Sequence, residues 1–95
     1  MSELMVLGER CTDIADELVG MSVRPRPGGG VVVEGRLRPE GPLVRAVHRA
    51  EAELLLADAT AMGDGTYMER TADERRADAF VEVVSRLAEV LGSTR

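Results

Sequence analysis

The stretch Pro42-Leu43-Val44-Arg45-Ala46-Val47-His48-Arg49-Ala50-Glu51-Ala52-Glu53-Leu54-Leu55-Leu56-Ala57-Asp58-Ala59-Thr60-Ala61-Met62 is long and periodic, and the fold turns on its reading. Leu43, Val47, Ala50, Leu54, Ala57 and Ala61 recur in alternating steps of four and three, the spacing of one helical face. Leu55, Leu56 and Met62 widen that stripe beyond a single coiled-coil seam, so the helix is expected to touch more than one neighbour. Pro39 and Pro42 suit a first turn, where the missing N–H is not needed, and the spacing predicts a helix over 39–62. Gly63-Asp64-Gly65 ends it, and a turn continues to about Arg70.

Downstream, Thr71-Ala72-Asp73-Glu74 is a capping-box pattern: the threonine hydroxyl accepts from an amide that would otherwise be unpaired, and the glutamate reaches back to the cap N–H. A further helix is expected over 71–92, with Ala77, Phe80, Val84, Leu87 and Leu91 as its main face and Val81, Val83, Ala88 and Val90 widening it. Upstream, Leu4, Leu7, Cys11, Ile14 and Leu18 step by three and four, which reads as a first helix over 2–20 capped by Ser2. Between these, Met21 and Val23, then Val31, Val33 and Leu37, alternate with other residues around Pro25-Arg26-Pro27-Gly28-Gly29-Gly30. That pattern predicts a β-hairpin over 21–38. A lone hairpin is marginal in water, so its apolar residues are expected to lie on the helices. The fold class is α+β, mainly α: helix, β-hairpin, then two long antiparallel helices in a single domain over 1–95.

Composition narrows the function. With 12 basic against 17 acidic residues, the formal net charge of −5 argues against a general nucleic-acid footprint. No apolar run approaches the ~20 residues of a membrane span. Met1-Ser2-Glu3 lacks the basic region of a secretory signal, and the single Cys11 has no internal partner, so a reducing cytoplasm is expected. All twelve basic residues are Arg, and Lys, Asn, Gln and Trp are absent, a composition typical of a high-GC genome.

From Val33 onward the wording becomes specific: Glu34-Gly35-Arg36-Leu37-Arg38-Pro39-Glu40-Gly41, then Leu43-Val44-Arg45-Ala46, then Gly63-Asp64-Gly65. Arg70-Thr71-Ala72-Asp73-Glu74-Arg75-Arg76-Ala77-Asp78-Ala79 follows. This resembles the actinobacterial domain-of-unknown-function 222 family, over residues 31–91. Arg38 stands where the family usually has Asp, which removes an acceptor that would cap the second helix. Family members are commonly longer and often end in an HNH endonuclease module. That chemistry needs paired His, an Asn and usually a Cys-built zinc site. One His, one Cys and no Asn cannot supply it, so the resemblance implies a nuclease-associated domain without the nuclease.

No enzymatic constellation assembles, and no metal or cofactor is expected. Ala52 stands where a helical i+4 partner for His48 would be, Ser85 has no base near it in sequence, and Gly28-Gly29-Gly30 precedes a strand instead of a helix. Cys11 lies on an apolar stripe and reads as a small buried hydrophobe. Arg70, Arg75 and Arg76, near the start of the last helix, form a possible phosphate-binding group. The alternative is local neutralisation by Asp73, Glu74 and Asp78. Arg24, Arg26, Arg36 and Arg38 form a second basic group on the hairpin, with no aromatic residue beside them to stack on bases. The surplus apolar surface of the second helix suggests a non-enzymatic interaction or oligomerisation module. Its expected partner is a second copy, in a homodimer, or another protein, through Leu55, Leu56, Met62 and Val83. One alternative is a DNA-associated accessory module acting through the arginines; another is a phage or mobile-element inhibitor of a longer homologue.

Overall fold

The computed structural model describes residues 4–62 and 70–92. Its elements run β1 (Met5–Val6), β2 (Glu9–Arg10), α1 (Cys11–Val19), β3 (Ser22–Pro25), β4 (Val31–Glu34), α2 (Pro42–Met62) and α3 (Ala72–Gly92). The α+β, mainly α class is as expected from the sequence.

The N-terminal reading is corrected: in place of one helix over 2–20, a short antiparallel hairpin precedes α1, with Met5 opposite Arg10 and Val6 opposite Glu9. Leu7 (φ 48°) and Gly8 (φ 84°) both turn through the left-handed region, the conformation of a tight two-residue hairpin turn. Leu7 satisfies the helical stripe in sequence yet occupies a position usually given to Asn or Gly, which is why the periodicity misleads there. The guanidinium end of the exposed Arg49 passes close to Gly8 and would have to shift to admit a Cβ there. The expected cap, Ser2, lies outside the described residues.

α2 begins at Pro42, three residues after the expected start, because Pro39 and Glu40 belong to a turn closed by the Gly41 amide on the Arg38 carbonyl (2.9 Å). The acceptor that Arg38 lacks comes from elsewhere in the chain: Oε1 of Glu17, on α1, accepts from the Leu43 amide at 3.4 Å. Gly41 is buried against that carboxylate, and a Cβ there would lie 2.6 Å from Oε1. α3 begins as the capping box predicts. The Glu74 amide donates to Oγ1 of Thr71 and the Thr71 amide donates to Oε1 of Glu74, both at 3.1 Å.

The buried core is Val6, Cys11, Ile14, Leu43, Ala46, Val47, Ala50, Ala79, Val83 and Leu87. Residues of α1, α2, α3 and the β1–β2 turn region therefore share one interior. The expected stripe on α3 is rotated: Ala79, Val83 and Leu87 are buried, whereas Ala77 and Leu91 are exposed. The reason is Arg75, which starts the true i, i+4 row of 75, 79, 83 and 87 and is itself buried through its pairing with Asp58. A pattern built on apolar residues alone skips that row's first member. On α2, Ala57 is exposed, and the side chain of Ala61 lies outside the described residues.

The second hairpin also departs from expectation. β3 and β4 pair in register, Ser22 with Glu34, Val23 with Val33, Arg24 with Val32 and Pro25 with Val31. Yet Val23 and Val31 remain more than 60% exposed, and only Met21 and Leu37 at its root pack against the core. The hairpin is an arm and not a layer. Backbone pairing and the Arg24–Glu34 ion pair hold it, while the core is already filled by β1, β2 and α1.

Candidate functional site

Ion pairs define how α2 and α3 lie together. Asp58 pairs with Arg70 and Arg75 (both 3.3 Å), and Glu53 pairs with Arg86 (3.1 Å), so later residues of α2 meet earlier residues of α3 and the helices run antiparallel. Residues two apart on a helix leave it about 200° apart. Glu51 and Glu53 therefore emerge on opposite edges of α2, yet both reach α3, Glu51 through Arg76 at 3.1 Å. The two pairs bracket the seam between the helices.

The two edges of that seam are unequal. Arg45, Arg49 and Glu53, all exposed, follow one another by fours on one edge, and β1–β2 touches it at two points: Nε of Arg45 donates to Oε1 of the buried Glu9 at 2.8 Å, and Arg49 lies against Gly8. The Glu9 carboxylate raises the pKa of Arg45, chiefly through that hydrogen bond. Val44, His48, Glu51 and Leu55 follow on the opposite edge, and Arg76, Phe80, Val84 and Leu91 continue it across α3. Here Val44, Phe80 and Val84 are half-buried, while Leu55 (44%) and Leu91 (38%) are exposed. Leu56, on the row of Arg45 and Arg49, and Val81, on the back of α3, are more exposed still.

Of the expected interface residues, Leu55 and Leu56 are thus at the surface. Val83 is corrected: with no exposed area it belongs to the core, because it follows Arg75 and Ala79 on the row facing α2. The side chain of Met62 lies outside the described residues. The phosphate-binding group is also corrected. Arg70 is held by Asp58 and Asp78, Arg75 by Asp58, and Arg76 by Glu51, so internal carboxylates occupy all three guanidinium groups. The sequence pointed to Asp73, Glu74 and Asp78 as neutralising partners. Of these only Asp78 pairs with an arginine of the group, Glu74 being engaged in the cap, and the missed partners Asp58 and Glu51 are distant in sequence.

The free arginines lie elsewhere. Arg26, Arg36, Arg38 and Arg49, all exposed, have no ion pair among the described residues. The first three belong to the arm and its return to α2. Compared with known proteins, the chain matches no family model, no curated protein and no solved structure. Its geometry is what remains.

That geometry offers little chemistry. Among the described residues no three His, Cys, Asp or Glu side chains cluster to hold a metal ion, and His48 is exposed on α2. Burial raises the pKa of Cys11, which keeps its thiol protonated and unreactive. A shallow trough at the root of the arm, lined by Met21, Ser22, Val33, Glu34 and Arg36, sets Ser22 opposite Glu34, whose carboxylate is engaged by Arg24. No helix among the described residues is long and apolar enough to cross a membrane.

Proposed function

We propose that the protein is a non-enzymatic, cytoplasmic interaction module that self-associates through the apolar edge of the α2–α3 pair. The observation that carries this reading is the contrast between the two edges of one seam. One is lined by the charged Arg45, Arg49 and Glu53; the other leaves Leu55 and Leu91 exposed beside half-buried Val44, Phe80 and Val84. The resemblance to the nuclease-associated domain-of-unknown-function 222 family fits a module of this kind, as a relative without catalytic residues.

Solution mass measured by light scattering over a range of concentrations tests the proposal. The native chain is expected as a dimer, and Leu55→Glu combined with Leu91→Glu as a folded monomer, because a carboxylate at each position places unpaired charge in the contact. A native chain that stays monomeric at the highest concentration sinks the reading. So does a double variant that dimerises as well as the native chain.

A further inference from the structure

The arm formed by β3 and β4 is unlike the rest of the molecule in two respects. Its register places Val23 opposite Val33 and Pro25 opposite Val31; alternation along each strand puts all four on one face. That face is apolar, and Val23, Val31 and Val33 are 64%, 62% and 39% exposed. The arm also carries charge of the opposite sign to its surroundings. Residues 22–38 contain four arginines and only Glu34 as an acid, a net +3. The remaining eight arginines and sixteen acids leave −8 on the rest of the chain.

We infer that the arm of one copy packs its Val23-Pro25-Val31-Val33 face onto the open α2–α3 edge of a second copy. This rests on the self-association proposed above and names the element that covers that edge. Apolar surface on the arm meets apolar surface around Leu55 and Leu91, while Arg26, Arg36 and Arg38 are drawn to the acidic body of the partner copy. Two other occupants fit less well. Pairing arm to arm would bring six unpaired arginines together, with like-charge repulsion across the contact. Nucleic acid would satisfy the arginines but leave the valine face without an apolar partner, and the −8 body would repel it. Reciprocal exchange of arms closes after two copies, as a two-fold interface does.

Sedimentation of the full chain tests the inference. Val31→Glu, and separately the triple reversal Arg26→Glu, Arg36→Glu, Arg38→Glu, are expected to weaken the dimer at least about tenfold. The fold of the monomer should hold, read as an unchanged melting temperature at concentrations too low for the native chain to dimerise, because every substituted side chain is exposed. Added salt should weaken the native dimer, and mixing a Val31→Cys chain with a Leu55→Cys chain should yield the mixed disulfide under mild oxidation. Should both arm variants dimerise with native affinity and no mixed disulfide form, while the Leu55 and Leu91 variant dissociates, the arm inference falls and the dimer stands. A monomeric native chain overturns both. Binding of a labelled DNA duplex at low salt that the triple reversal abolishes would make nucleic acid the arm's partner, and that too overturns the proposal.

Discussion

The molecule contains two β-hairpins that invert the usual relation between regularity and importance. β1–β2 has strands of two residues around a tight turn, yet its Val6 is buried in the core and its Glu9 holds Arg45 of α2. β3–β4 has strands twice as long in continuous register, and each of its residues other than Val32 is exposed. The comparison separates two things that sequence patterns merge. Alternation of apolar residues specifies how a strand pairs; whether it is buried depends on what space the other elements have left. Here Val6 of the short hairpin and Cys11 and Ile14 of α1 already fill the interior shared with α2 and α3, and the longer hairpin stands off as an arm.

The sharpest way to break this contrast is to truncate one valine in each hairpin. In the monomer, at concentrations too low for dimerisation, Val6→Ala should cost about 2 kcal/mol, because it leaves a cavity in a packed interior, whereas Val31→Ala should stay within about 0.5 kcal/mol. Denaturant titration of both variants checks the pair, and equal losses would mean that the arm is packed after all. The two glycine turns give a second, somewhat smaller difference. Gly8 and Gly29 both have positive φ, so alanine at either costs about 1 kcal/mol for the backbone alone. The Gly8 turn joins strands that hold the buried Val6 and Glu9, whereas the Gly29 turn lies on the exposed arm and can fray without opening the core, so Gly8→Ala should lower the melting temperature more.

The smallest effect concerns the body's own end structure. Hydrogen bonds from the Thr71 backbone and then its side chain hold the Glu74 carboxyl below its ordinary range, with a further contribution from the charge of Arg70. A carboxyl whose pKa is depressed on folding stabilises the folded state above its unfolded pKa. That contribution disappears as the pH falls through the lower, folded value. The first turn of α3 should therefore fray on acidification below the usual carboxylate range. Thr71→Ala should cost about 1 kcal/mol at neutral pH and blunt the pH response. Amide exchange of the α3 N-terminus, followed against pH, reads both.

Legibility in the sequence followed the same division. α2, the start of α3 at Thr71 and the paired strands around Gly28-Gly29-Gly30 were readable, because each is written in local spacing and capping chemistry. The β1–β2 turn was not, since Leu7 and Gly8 satisfy a helical stripe while the chain turns back. Partners distant in the chain were also invisible: Glu17 capping α2, and Asp58 and Glu51 neutralising the arginines of α3. Leu55 and Leu56 were readable as surplus on the apolar stripe. Val83 was misplaced because Arg75, a charged residue, heads the buried row of α3. The free arginines of the arm were visible as a cluster, but only the ion pairs elsewhere distinguish them from the rest.

The lone thiol has a use beyond packing. Cys11 sits where β2 passes directly into α1, is 1% exposed, and is in contact with the shared interior. A reagent can reach it only when that junction opens, so each modified molecule records one excursion out of the native state. The chain thus carries a single built-in counter of its own breathing, placed where the short hairpin, the first helix and the long helices meet.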